Sequence, residues 1–258
     1  MESKSSIYLI RHGESKYNSA KEEAIKKGDK YSCYWRKDLI DCELTELGIQ
    51  QAKEAGEKLR DLNISLVLVS PLRRALQTAF YAFENHPNKP KFKAIPLARE
   101  IVASSCNFPS NIEDLQKEFP FVDFSELEAL ADKRFWIIET FEGEERERLE
   151  NLTKDLPEGP EKYEKFLDLL TETAGKLFPK YLESNLHMVS RVKKLRAYLQ
   201  THFKLLRESE KIAYVGHAMT TLVLTATKFD EKGYALDGKS LKNAEFLEYF
   251  FNEEINDK

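Results

Sequence analysis

Four short stretches of this chain end an apolar run on residues able to handle an anion. Ile7-Tyr8-Leu9-Ile10 runs into Arg11-His12-Gly13-Glu14, and Tyr214-Val215 runs into Gly216-His217. Ile64–Val69 runs into Ser70-Pro71-Leu72-Arg73-Arg74, and residues 94–97 lead to Arg99-Glu100. This set suits phosphoryl transfer. A neutral imidazole attacks phosphorus as a nucleophile. Guanidinium forks match phosphate oxygens and stay charged, and their charge disfavours an imidazolium beside them. A carboxyl group protonates the leaving oxygen and then deprotonates water. Gly13 would let the backbone approach the ligand, and helix N-termini would add N–H donors. Such electrostatic stabilisation can stand where other enzymes use a metal. No metal-ligand pattern is visible, and no metal or other cofactor is expected.

These residues converge only if the apolar runs are neighbouring strands, because ligands of open α/β sheets bind beyond the carboxyl ends of the strands. The chain reads that way. Ile7 to Ile10, Ile64–Val69, residues 94–97 and Ile212 to Val215 are strands, and residues 245–251 read as a last, edge strand. A helix runs from Thr45, its N-cap, to about Leu62, with Leu47, Ala52, Ala55, Leu59 and Leu62 on one face. Another starts with Ser70 as cap and Pro71 in its first turn, and a third follows His217 to about Thr227. Alternation of strand and helix with nearly continuous apolar strands predicts an α/β fold. The expected form is a three-layer α/β/α sandwich on a mostly parallel central sheet. Residues 101–188 break the alternation and are expected to be a mainly helical insertion forming a lid within one domain spanning 1–258.

Bulk properties narrow the partners. The chain has 258 residues, 41% of them hydrophobic and 33% charged, with net charge −4. This balance points to no nucleic acid and no anionic membrane surface. Three cysteines without CxxC spacing suit reduced, inert thiols and a cytoplasmic location better than a disulfide framework. MESKSS reads as no signal peptide, and no apolar run reaches a membrane span. Oligomeric state is open.

Arg11-His12-Gly13-Glu14-Ser15 followed by Asn18 resembles the RHGExxxN signature of the histidine phosphatase superfamily, the phosphoglycerate mutase-like proteins. Residues 44–52, LTELGIQQA, resemble its LTxxGxxQA helix, and residues 70–79, SPLRRALQTA, its SPLxRAxQTA element. Arg99-Glu100 and Val215-Gly216-His217 resemble its last two catalytic positions. A narrower similarity, to a eukaryotic branch of plants, fungi and protists, rests on Asp41-Cys42-Glu43-Leu44-Thr45 and on Cys106, Glu118-Phe119-Pro120 and Val122-Asp123-Phe124-Ser125.

The resemblance implies that His12 accepts the phosphoryl group, Arg11 and Arg74 clamp it, His217 completes the pocket and Glu100 donates the proton. Asn18 lies at the pocket edge, Ala218 offers its N–H, and Arg73 is an outer contact. On the plainer reading Asn18 is a helix cap. Tyr31, Tyr34 and Trp35 either wall the pocket or pack their own loop. Arg36 and Lys37 either attract an anion or pair in solvent. His86, His187 and His202 read as surface residues, and residues 142–150 as a solvated helix face. Glu100 is followed by IVASSC, where the glycolytic mutases carry an RxYGxLxG-like segment. The leading expectation is therefore a metal-independent phosphatase acting on a small phosphate ester through a phosphohistidine. A phosphoglycerate mutase is the alternative, and a non-catalytic anion-binding scaffold a third reading.

Overall fold

The computed structural model describes residues 6–130, 133–157, 159, 161–207 and 209–251. Most of the MESKSS segment thus lies outside the described residues. Six strands form one sheet: β1 (Ser6–Arg11), β2 (Ile64–Val69), β3 (Lys91–Ala94), β4 (Val122–Asp123), β5 (Lys211–Gly216) and β6 (Phe246–Tyr249). Their order is β4-β3-β2-β5-β1-β6. All neighbours are parallel except β6, which runs antiparallel to β1 at the edge.

Strand alternation splits the core between the two faces of the sheet. Tyr8, Ile10, Val67, Val69, Ala213 and Val215 face one side. There they meet Leu59 of α2 (Glu46–Leu59) and Ala75, Leu76, Ala79 and Phe83 of α3 (Arg73–Phe83). Ile7, Leu9, Leu68, Ile212 and Tyr214 face the other side. They meet Met188, Val192, Leu195 and Leu199 of α8 (Asn185–Lys204) and Val223 and Leu224 of α9 (Ala218–Thr225). Each fully buried Leu or Phe in these layers contributes about 1.5–3 kcal/mol. Helices therefore cover both faces, and the three-layer α/β/α arrangement stands.

Register does the positioning. Arg11 is level with Gly216, Val69 with Val215, and Val69 with Ala94. The residues just past β1, β5, β2 and β3 thus share one rim: His12, His217, Ser70 and the stretch leading to Arg99-Glu100.

Several boundaries differ from the sequence reading. A helix not expected there, α1 (Lys16–Lys26), follows β1, started by a capping box between Ser15 and Asn18. Its charged, weakly amphipathic sequence hides it. The helix α2 stops at Leu59, and Leu47 is 50% exposed instead of facing the core. β3 precedes its expected place, since Pro96–Ala98 forms a 3-10 turn. The helix after Ser70-Pro71 starts only at Arg73, with Leu72 at the cap position.

Residues 101–188 hold α4 (Ile112–Glu118), α5 (Ser125–Glu128), α6 (Gly143–Thr153) and α7 (Lys162–Leu177). They also supply the edge strand β4, and Phe108, Leu115, Trp136 and Phe166 enter the main core. The expected end at Met188 falls inside α8. No described helix is long and apolar enough to cross a membrane.

Candidate active site

His12, His217, Arg11, Arg74, Glu100, Asn18 and Ala218 all line one cavity of about 470 Å³ or touch a residue that does. The two imidazole centroids lie 5.2 Å apart with their planes 60° from each other. His12 is 4% exposed, Arg74 2% and His217 not at all.

The partners fix the tautomers, since a guanidinium only donates and a carbonyl only accepts. His12 Nδ1 donates to Gly13 O at 2.7 Å, so Nε2 carries the lone pair. Arg74 Nε donates to that lone pair at 3.2 Å. Arg74 Nη2 donates to His217 Nδ1 at 3.2 Å, so His217 Nε2 bears hydrogen and donates to Ser70 Oγ at 2.7 Å. Arg74 is itself held by Cys106 O at 2.7 Å and Asn107 Oδ1 at 2.8 Å. Burial, then the Arg74 charge, pushes both imidazoles well below their ordinary value; Arg11 adds to this for each, and His12 acts likewise on His217. Arg11 donates from Nη1 to Leu241 O at 2.9 Å, while its buried Nε has no partner. Burial also lowers the Arg11 guanidinium below its usual range.

Glu100 lies at the N-terminus of α9. Its Oε1 accepts from Thr220 N, Thr220 Oγ1 and Ile101 N, and its Oε2 from Met219 N at 3.0 Å. These early helix amides, expected to meet an anion from outside, are instead spent on the protein's own Glu100 carboxyl group.

A buried ion network lies behind Glu100. Glu183, fully buried, accepts from Arg99 Nη1 at 2.5 Å, Val102 N at 3.0 Å, Arg191 Nε at 3.0 Å and His187 Nδ1 at 3.1 Å. Burial alone would raise its pKa, but the charges of Arg191 and Arg99 more than offset this and hold it below the carboxylate range. Arg99 Nη1 also donates to Glu100 O, and Arg191 Nη1 to Leu97 O and Arg99 O. The stretch carrying Glu100 is thereby held along its backbone.

Gly13 serves a different contact from the one expected. A Cβ there would lie 2.4 Å from Gly48 O, and one on Gly48 would lie 2.0 Å from Glu14 O. The glycines let the loop after β1 press on the start of α2. Gly13 N donates to Thr78 Oγ1 at 3.0 Å while Gly13 O holds His12.

Asn18 takes part in the cap of α1 and also lies at the cavity edge. Its Oδ1 closes the cap of α1 and also accepts from Asn243 Nδ2 at 3.3 Å, yet the residue lines the cavity. Tyr34 lines the cavity too, while Tyr31, Tyr34 and Trp35 pack on one another and on Phe178. Arg36 pairs with Asp38 and Lys37 with Asp168, so the solvated-pair reading holds for both. Arg73 turns to Glu118 at 2.9 Å. His86 is buried against Leu59 O, and the His187 side chain is 9% exposed beside Glu183, so neither is a surface residue. In residues 142–150 Leu149 enters the core, and Glu145 accepts from Ser184 N. All three cysteines are buried free thiols, with Cys106 pushed up to about 12 by burial. Sequence reasoning missed Asn107, Thr78 and Thr220 in the site, and took Ser70 for a cap.

Comparison with known proteins gives the family and the fold. The histidine phosphatase superfamily (branch 1) matches residues 7–237, and the chain belongs to that family. It is 30% identical over 157 residues to a phosphoglycerate mutase-like protein of Arabidopsis thaliana, covering 49% of this chain and 56% of that one. It is also 30% identical over 123 residues to a probable phosphatase of Schizosaccharomyces pombe, covering 46% and 51%. The chain thus spans about half the length of the curated relatives it matches. In fold it is similar to a phosphoglycerate mutase of Bacillus anthracis, with TM-score 0.52, 14% identity and coverage of 96% and 88%.

Proposed function

We propose that this protein is a phosphatase that hydrolyses a small phosphate ester through a covalent phosphohistidine on His12, without a metal. The observation that carries the reading is the tautomer of His12. Gly13 O holds Nδ1–H, so Nε2 bears no proton of its own, and its lone pair accepts from Arg74 Nε beside the His217 ring.

The cycle has two displacements. His12 Nε2 attacks phosphorus, the P–O ester bond breaks, and Glu100 gives its proton to the leaving oxygen. Water then attacks the phosphorus, Glu100 takes its proton, and the N–P bond breaks to release inorganic phosphate. Arg11 and Arg74 hold the equatorial oxygens. Arg74 exchanges its bond to the imidazole lone pair for one to phosphate as the substrate enters. The buried, unpartnered Nε of Arg11 supports the same role. His217 adds its charge-stabilising ring, and Ala218, at the first position of α9, brings an N–H without an intrahelical acceptor. Asn18 has its oxygen committed to the cap, so its contact with the ester falls to the amide NH₂. Residues 101–188 act as the lid of a single domain, supplying Asn107 and Tyr181 to the cavity.

The test is release of phosphate from an aryl phosphate in the presence of chelator. His12→Ala should lower kcat by at least about 10³-fold, and wild type alone should yield an acid-labile phosphoenzyme. Equal rates for the two proteins would refute the reading.

A further inference from the structure

The floor and the mouth of the cavity differ in chemistry. The floor carries His12, Arg11, Arg74 and Glu100, with His217 buried behind Arg74 and His12. Part of the remaining wall is aromatic and apolar, with Tyr34, Tyr181, Tyr234 and Met219 contributed from separate parts of the chain, and uncharged polar groups such as Ser104 and Asn185 lie between them. Tyr181 is 40% exposed, Tyr234 54% and Met219 37%. Burial raises the Tyr181 phenol, and the nearby Tyr34, Tyr31 and Tyr234 add to this. Tyr34 is braced by Tyr31 at 5.2 Å and Phe178 at 6.2 Å between ring centroids. Rigid rings around an opening offer flat apolar area at small entropic cost, with a hydroxyl at the edge.

The charge around the mouth points the same way. Beyond Arg11 and Arg74, Lys21 is the one cation among the described residues lining the cavity, and its ammonium lies 5.7 Å over the Tyr34 ring. A second phosphate would bring close to two negative charges to this single, partly buried lysine. A carboxylate would find no guanidinium fork outside the floor.

We infer that the substrate carries one phosphate and an uncharged, flat ring on its leaving group, which packs against Tyr34, Tyr181 and Tyr234. This rests on the phosphatase reading. The volume of about 470 Å³ accommodates such a molecule.

The experiment compares kcat/KM of the full chain for benzyl phosphate, glycerol 3-phosphate, 3-phosphoglycerate and fructose 2,6-bisphosphate. The first two release primary alcohols, so their ratio reports the wall more than leaving-group reactivity. Benzyl phosphate should exceed each of the others at least about tenfold. Tyr181→Ala and Tyr234→Ala should each cut the benzyl-to-glycerol preference about three- to tenfold, chiefly through KM. Tyr181→Phe, which keeps the ring, should restore the preference. Faster turnover of the glycerate or the bisphosphate, or a preference unchanged in both alanine variants, would overturn this inference and leave the phosphatase reading intact. Failure to cleave any ester or form a phosphoenzyme would overturn the phosphatase reading and this inference with it.

Discussion

His12 and His217 are kept neutral by burial and by neighbouring guanidinium groups, and two pH effects follow. Unfolded, each ring binds a proton near pH 6.5; folded, it does so only at lower pH. Between those values the unfolded chain holds more protons, so stability is full above about pH 7 and falls with acidification through 6.5. The slope should reach up to about 1.4 kcal/mol per pH unit for each buried ring. His86, also lowered by burial, contributes to the same window and is separated by repeating the measurement in His86→Gln. Urea unfolding between pH 5 and pH 7.5 reads the slope. Activity should hold where stability is already declining, and an acid limb of kcat/KM centred on the ordinary imidazole value would contradict the burial argument. The sequence made His12, His217, Arg74 and Glu100 visible because each follows an apolar run. Asn107 and Ser70 act through single hydrogen bonds to residues far along the chain. Nothing in its local spelling marks Asn107, and the spelling around Ser70 marks a cap and not a partner of His217.

At the scale of elements, the contact between the β1–α1 loop and the start of α2 matters most. Gly48→Ala would drive a methyl group into Glu14 O, where both sides are backbone and neither can swing away. A cost of about 1–3 kcal/mol is expected, lowering the unfolding midpoint by about 2–4 °C per kcal/mol. Gly13 O orients His12, so kcat should fall as well. Leu47→Ala, next to it and half exposed, should change stability by less than about 0.5 kcal/mol. Thermal unfolding of both variants decides; similar shifts would mean the glycine contact is slack. β2 was legible residue for residue, since a β-branched run between polar neighbours admits few other readings. β3 was not, because Lys91 and Lys93 interrupt its apolar pattern, and α1 was hidden by its charge. Two-residue β4 is too short to show any period.

Across the whole molecule, the Arg99–Glu183–Arg191 network ties α8 and the approach to it to the stretch that carries Glu100. Removing the central charge strands two buried cations. Glu183→Gln should therefore cost about 3–5 kcal/mol, read by urea unfolding. It should also lower kcat more than it changes KM, since Glu100 loses its backbone support. An unchanged urea midpoint would show that the charges balance without Glu183. This network was beyond sequence reasoning, because Glu183 is one of many acidic residues and its partners lie on separate segments. The strand pairing of β1 has a further consequence. Ser6 on β1 meets Lys211, 205 positions later, on β5. A ribosome adding about 5–20 residues each second needs roughly 10–40 s between making the strand that leads to His12 and making the neighbour beside which it must lie. For that interval the nascent chain carries its reactive imidazole without a pocket, and any chaperone that shelters the growing protein has that long to keep an apolar β1 from pairing elsewhere.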